Sequence, residues 1–243
     1  MKSQEHEIFQ NDKESMYLSF ENTLEAIFYE YMFKPERKLR KPPFSFNELY
    51  QIYAYLLIEK QEFNKALCLL DRALSRSPLN TRFMFERAEI YKFLKDMNTF
   101  LELTKQCLPY IYSRSELARY FRNLGFYFIE NELWDEAICA YLHSNQWDPS
   151  QMAQSQLFYI VQKTGKVIDT EVFQDAGTIL GRHGISYKPD VVWLQIAWQL
   201  GHECFNSSDF ESAAFYLNVV YQISGDEEAE AKLQICKEKL QSL

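Results

Sequence analysis

Side chains able to do chemistry are few in this chain, and they are scattered. The four histidines, His6, His143, His183 and His202, lie far apart, and none belongs to an H-E-x-x-H metal helix. No G-x-S-x-G elbow is present to carry a nucleophilic serine. Thr164-Gly165-Lys166 lacks the upstream glycine with which a P-loop cradles phosphate, and it reads as a turn. The adjacent His202, Glu203 and Cys204 are better explained by packing on one helix than by catalysis. The cysteines Cys68, Cys107, Cys139, Cys204 and Cys236 are odd in number and form no C-x-x-C pair. That argues against a disulfide framework and a zinc knuckle, and fits small buried helix residues in a reducing compartment. The sequence therefore assigns no catalytic, cofactor-binding or metal-binding residue, and we expect a non-enzyme.

The formal charge of −8 repels phosphate backbones and makes nucleic acid a poor partner. Lys34 to Lys41 is a local exception, with five basic residues and one glutamate, and reads as a solvated basic linker. Residues 1–12 are polar, without the apolar run of a secretory signal, and are expected to form a mobile tail. No stretch approaches the roughly 18 uninterrupted apolar residues of a membrane span. Cytoplasmic residence without membrane or nucleic acid is the expectation.

The elements that must position any site are helical. Glycine and proline number seven each in 243 residues and fall mostly between stretches with helical periodicity. A unit of two amphipathic helices spans residues 47–80. Tyr50, Tyr53 and Leu57 mark one face of its first helix, and Ala66, Leu70 and Ala73 one face of its second. Ala54, Ala66 and Ala73 allow close crossing, Phe63 fills the turn, and Pro78 ends the unit. The layout returns over 118–151 and again over 194–227, where Leu200, Gly201, Cys204, Phe210, Ala213 and Leu217 fill the slots. A degenerate unit over 81–117 places Phe100 and Cys107 where small residues are expected. An irregular one covers 152–187. Ser45/Glu48, Ser113/Glu116 and Ser208/Glu211 have capping-box spacing. Residues 13–33 read as one apolar-rich helix, continued by the basic linker to residue 46, and a charged amphipathic helix over 228–243 closes the chain. Ala231, Leu233, Ile235 and Leu240 are its apolar residues.

Phe121, Leu124, Gly125, Phe128, Ala137, Tyr141 and Pro149 nearly meet the pattern W-x2-L-G-x2-Y…A-x3-F…P, so the chain resembles the tetratricopeptide repeat (TPR) family. As a whole it resembles TPR proteins of Gram-positive bacteria. The resemblance implies an all-α fold: a right-handed α-solenoid of TPR-like helix hairpins over 47–243, with N- and C-terminal capping helices.

In that family the second, fifth, ninth and twelfth positions of each first helix line a concave groove. Mapped here, the resemblance implies Tyr55 in the first unit, then Arg82, Phe85 and Glu89. Arg119, Arg122 and Phe126 follow in the third unit, and Trp198 and His202 in the last. Arginine and aromatic side chains are enriched at binding hot spots. The expected partner is another protein or a peptide, an acidic one suiting the arginines. The family's chaperone carboxylate clamp is not expected, because Gln51, Tyr55, Glu86 and Asn123 depart from its Lys and Asn set and only Arg119 keeps its character. The function expected is a scaffold or adaptor that holds a peptide or helix in its groove. The alternative is a regulatory or structural subunit that acts by self-association as a homo-oligomer.

Overall fold

The computed structural model describes residues 11–168 and 175–241. The fold is a helical repeat with one short parallel ribbon, β1 (Ser15–Tyr17) beside β2 (Lys38–Arg40). Between these strands lies α1 (Thr23–Phe33). A hairpin of α2 (Asn47–Glu59) with α3 (Phe63–Arg76) follows, and after it in the chain come α4 (Thr81–Phe93) and α5 (Met97–Cys107). Next come α6 (Arg114–Glu130) with α7 (Trp134–Trp147), α8 (Gln151–Thr164) and the short α9 (Ala176–Gly181). The last three helices are α10 (Val191–Asn206), α11 (Phe210–Ser224) and α12 (Glu227–Gln241). The chain divides into two compact units, Met1–Asp96 and Met97–Leu243, and the division falls inside the stretch read as the degenerate repeat.

In the first unit α3 packs against α2 on one side and α4 on the other. Tyr50, Ala54, Leu57, Ala66, Leu70, Ala73, Phe83 and Ile90 form one cluster. Each large member contributes about 1.5–3 kcal/mol by leaving water. Asn80 caps α4 by accepting from Phe83 N, at 3.2 Å.

Several expectations are corrected. Residues 13–33 are not one helix: Ser15–Tyr17 is a strand, and α1 begins only after Asn22, whose side chain accepts from Glu25 N. The basic stretch is not a solvated linker throughout, because Lys38–Arg40 is the second strand. Ser45 and Glu48 do not form a capping box; Ser45 Oγ accepts from Asn47 N at 3.2 Å, and α2 starts without a side-chain cap. Of the expected tail, residues 1–10 lie outside the described residues; Asn11 and Asp12 are held, accepting from the backbone N–H groups of Tyr17, Glu14 and Ser15.

The second unit is built on α6 and α7. Gly125 of α6 lies against Tyr141 of α7, the close approach expected from a glycine inside a helix. Ser113 does cap α6: its Oγ accepts from Glu116 N and donates to Glu116 Oε2. At α11 the cap is Asp209, not Ser208. Phe100 and Cys107 of α5 are fully buried, with α5 packed on α6. Gly165, at φ 69°, ends α8 in the left-handed conformation that favours glycine. Trp193 opens α10 by donating Nε1–H to Pro109 O at 2.9 Å, and its ring lies 4.6 Å from that of Tyr112. Ala229, Leu233 and Cys236 seat α12, and of the apolar residues named for it Ile235 and Leu240 are exposed.

Candidate protein-docking surface

The mapped groove residues differ in exposure within each unit. In the first unit Tyr55 and Arg82 are exposed, but Phe85 is 1% exposed and belongs to the core, which corrects its assignment. Glu89 is paired with Lys92 at 2.8 Å. In the second unit Arg119 is half-buried, and Phe126 sets its ring edge-on to Phe100 at 6.0 Å. Arg122 is turned toward the end of α7, with Nη1 3.4 Å from Ser144 Oγ and 3.5 Å from Asp148 O. Burial pulls its guanidinium down from the ordinary value. Trp198 and His202 lie under Lys232 of α12, whose Nζ is 2.6 Å from His202 Nδ1 and 5.2 Å from the Trp198 ring centre. Glu228 holds the same ammonium at 2.7 Å.

Arg114 was not singled out by sequence reasoning, yet it anchors the second unit. Its guanidinium donates to Trp147 O at 2.9 Å, Gln146 O at 2.8 Å and Gln222 O at 3.3 Å. A cation thus sits at the negative ends of both α7 and α11. A signal existed: an arginine in the first turn of its own helix opposes that helix's dipole.

One surface that stays open is the outer face of α2. Every residue from Leu49 to Ile58 except Gln51 is apolar or aromatic, so the helix has more apolar surface than one partner can cover. Tyr50, Ala54, Leu57 and Ile58 take the core side. Leu49, Ile52, Tyr53 and Leu56, spaced i, i+3, i+4 and i+7, stay 51%, 58%, 47% and 47% exposed. Tyr53 therefore does not share the buried face expected for it. In α4 the positions matching Leu49 and Leu56, one repeat of 34 residues later, are Phe83 and Ile90, at 1% and 0% exposure. The stripe is thus the face that a following hairpin uses to stack.

An open groove of about 490 Å³ continues the stripe between α2 and α3, lined by Tyr53, Leu57, Lys65, Cys68, Leu69 and Arg72 among others. Among the described residues, none of the N-terminal segment lines it. Ser19 N donates to Arg76 O at 2.7 Å, and Glu21 Oε1 accepts from Asn47 and Asn80 at 3.0 and 2.9 Å. These contacts clasp the end of the hairpin where α2 begins and α3 finishes.

Among the described residues no group of three or more His, Cys, Asp or Glu side chains is placed to hold a metal ion. Nor is any helix among them long and apolar enough to cross a membrane.

No protein-family model and no curated protein sequence matches the chain. Among solved structures it is similar to YrrB, described as a TPR protein with an unusual peptide-binding site. The identity is 16% over 77% of this chain and 90% of that one, with a TM-score of 0.40. It is similar to PilF of Pseudomonas aeruginosa at 14% identity, over 81% of this chain and 90% of that one, with a TM-score of 0.44. A third likeness is to TTC0263, a thermophilic TPR protein of Thermus thermophilus. There the identity is 12% over 78% of this chain and 98% of that one, with a TM-score of 0.39.

Proposed function

We propose that the chain is a protein-interaction module, a scaffold or adaptor, and that its docking surface is the outer face of α2 with the adjoining groove. The observation that carries this reading is the half-exposed stripe Leu49, Ile52, Tyr53 and Leu56. A contiguous apolar stripe at helical spacing on a surface marks a binding site for another helix or an extended apolar segment. Tyr55 and Arg82, both exposed, belong to the concave set and extend the surface available to a peptide. The chemistry is recognition, with no bond made or broken, and the compartment proposed is the cytoplasm.

The test is affinity purification with mass spectrometry, using wild type and an Ile52→Glu, Tyr53→Glu double variant as baits. Both positions are exposed, so the variant keeps its core. Loss of the same partner from the variant supports the reading. A partner retained by the variant refutes the α2 face as the site. An Arg119→Ala, Arg122→Ala bait run in parallel asks whether the second unit's arginines contribute.

A further inference from the structure

We infer that the open edge of β2 takes an added strand, and that the occupant is an extended acidic segment of a partner protein with apolar side chains at alternate positions. This surface shares no residue with the α2 stripe and its groove.

The two edges of the ribbon are finished differently. Lys38 N donates to Glu14 O at 2.8 Å and Leu18 N donates to Arg40 O at 3.2 Å, so Lys38 and Arg40 turn their backbone groups toward β1. Alternate residues of a strand turn theirs to opposite sides, which leaves the N–H and C=O of Leu39 on the outer edge. Among the described residues no third strand meets them. The outer edge of β1, by contrast, is closed by the chain itself. Ser15 N donates to Asp12 Oδ1 at 2.5 Å, and Tyr17 N to Asn11 Oδ1 at 2.8 Å. Ser15 O accepts from Asp12 N at 3.1 Å. An open edge pairs with alternating backbone donors and acceptors about 4.8 Å away, which an extended polypeptide supplies and a helix, a lipid surface or a nucleic acid does not.

The side chains select the chemistry of that polypeptide. Lys38 and Arg40 are exposed on one face of β2. Leu39, on the other, borders an open cavity of about 260 Å³ lined also by Leu18, Phe20 and Ala26. A paired strand therefore sets acidic side chains beside Lys38 and Arg40 and an apolar one beside Leu39. Arg40 is already bonded to the Tyr17 hydroxyl and lies near Asp12 and Glu14. Lys34, Arg37, Lys38 and Lys41 have no ion-pair partner among the described residues. Glu36 in the same run and Glu30 across the cavity oppose them, so the cations prevail and an acidic segment is favoured. The β2 strand of a second copy is the wrong occupant. Antiparallel pairing about Leu39 would set Lys38 against Arg40, like charge against like. Pro35 and Pro42 bound the edge, so pairing ends within them.

The probe is a fluorescent peptide of about six residues alternating glutamate and valine, matched to the length of the edge. Its binding to the full chain is followed by anisotropy with protein raised to about 1 mM, the range that a few hydrogen bonds and charges require. Two analogues carry N-methyl groups, one on every valine amide and the other on every glutamate amide. Strand addition turns only one of these sets toward β2, so one analogue is expected to bind about tenfold more weakly and the other as the parent does. Equal binding of both means that charge alone holds the probe, and overturns strand addition. In the protein, Leu39→Pro removes the outward N–H but leaves the ladder bonds of Lys38 and Arg40. It is expected to bind about tenfold more weakly than Leu39→Val, which keeps the donor. Equal affinity of these two variants places the probe elsewhere and sinks the inference. Lys38→Glu with Lys41→Glu is expected to lose the glutamate probe and to prefer one alternating lysine and valine. A wild type that binds the lysine probe as tightly as the glutamate one, or binds neither, refutes the acidic occupant. Sedimentation equilibrium of the chain alone is expected to show no dimer that depends on this edge. A dimer that Leu39→Pro dissociates makes a second copy the occupant and also overturns the inference.

Discussion

Replacing Gly125 with alanine separates packing from propensity. In an exposed helix interior the change favours folding by about 1 kcal/mol, because glycine carries the larger entropy cost. Here a Cβ at position 125 would lie 2.6, 2.8 and 2.8 Å from three ring atoms of Tyr141. Carbon pairs settle at about 3.5–4.0 Å, so the ring must retreat by roughly 0.8 Å. Tyr141 is 3% exposed, and the obstructing atoms are the body of the ring rather than a flexible tip. Overpacking of this kind costs about 1–3 kcal/mol, and the rigid neighbour puts it near the upper end. The net expectation is a loss of about 2 kcal/mol, or about 4–8 °C in Tm for a domain of this size. Urea and thermal unfolding followed by circular dichroism would measure it. Gly181→Ala is the control: a Cβ there meets nothing within 4 Å, so it should be neutral or slightly stabilising. In a Tyr141→Leu background the penalty at Gly125 should vanish and the propensity gain reappear. A Gly125→Ala protein as stable as wild type would refute the close crossing of α6 and α7.

Three further outcomes are expected. Arg114→Met keeps the aliphatic stem but removes the donors to Gln146, Trp147 and Gln222. It should cost about 2–3 kcal/mol in urea unfolding, and Arg114→Lys, lacking the planar fork, should restore less than half of that. Burial pushes the Cys139 thiol from 9.0 up to about 12 and the Tyr50 phenol from 10.0 up to about 12. Both groups stay neutral when folded and ionise first in the unfolded chain. Their stabilising contribution is therefore complete below pH 9 and is lost as pH rises from about 9 to about 12, which a series of unfolding curves would show. At pH 8 a thiol reagent should modify exposed Cys68 first and leave Cys139 intact.

Helices were legible in the sequence wherever the 3.6-residue period ran beyond three turns, and the Gly125–Tyr141 crossing was legible as a small residue opposite a large one. The phase of burial was harder to read. In α2 both sides are apolar, so periodicity alone could not tell that Tyr50 faces inward and Tyr53 outward. Phe85 was mapped to an open surface by family position, yet it lies in the core. Short polar segments misled for another reason. Ser15–Tyr17 becomes a strand only because Lys38–Arg40 lies beside it, a pairing across more than twenty residues that no local pattern announces. Lys232 over Trp198 and His202 is likewise a contact between residues thirty or more apart, invisible to helical spacing.

The hairpins at either end of the repeat array are finished differently, and the difference bears on function. A terminal helix that ends in solvent needs a polar outer face. In α10 the positions matching Leu49, Ile52, Tyr53 and Leu56 are Ile196, Gln199, Leu200 and Glu203, of which Gln199 and Glu203 are exposed. The same hairpin carries α12, with Lys232 drawn over the rings of Trp198 and Phe205. In α2 all four positions are apolar and exposed. Replacing the four by polar residues would leave the cluster around Tyr50, Leu70 and Phe83 intact, so folding of this unit does not require them to be apolar. Among the described residues their hydrophobicity carries the cost of exposed apolar surface without a return, and that cost is offset only when something covers the face.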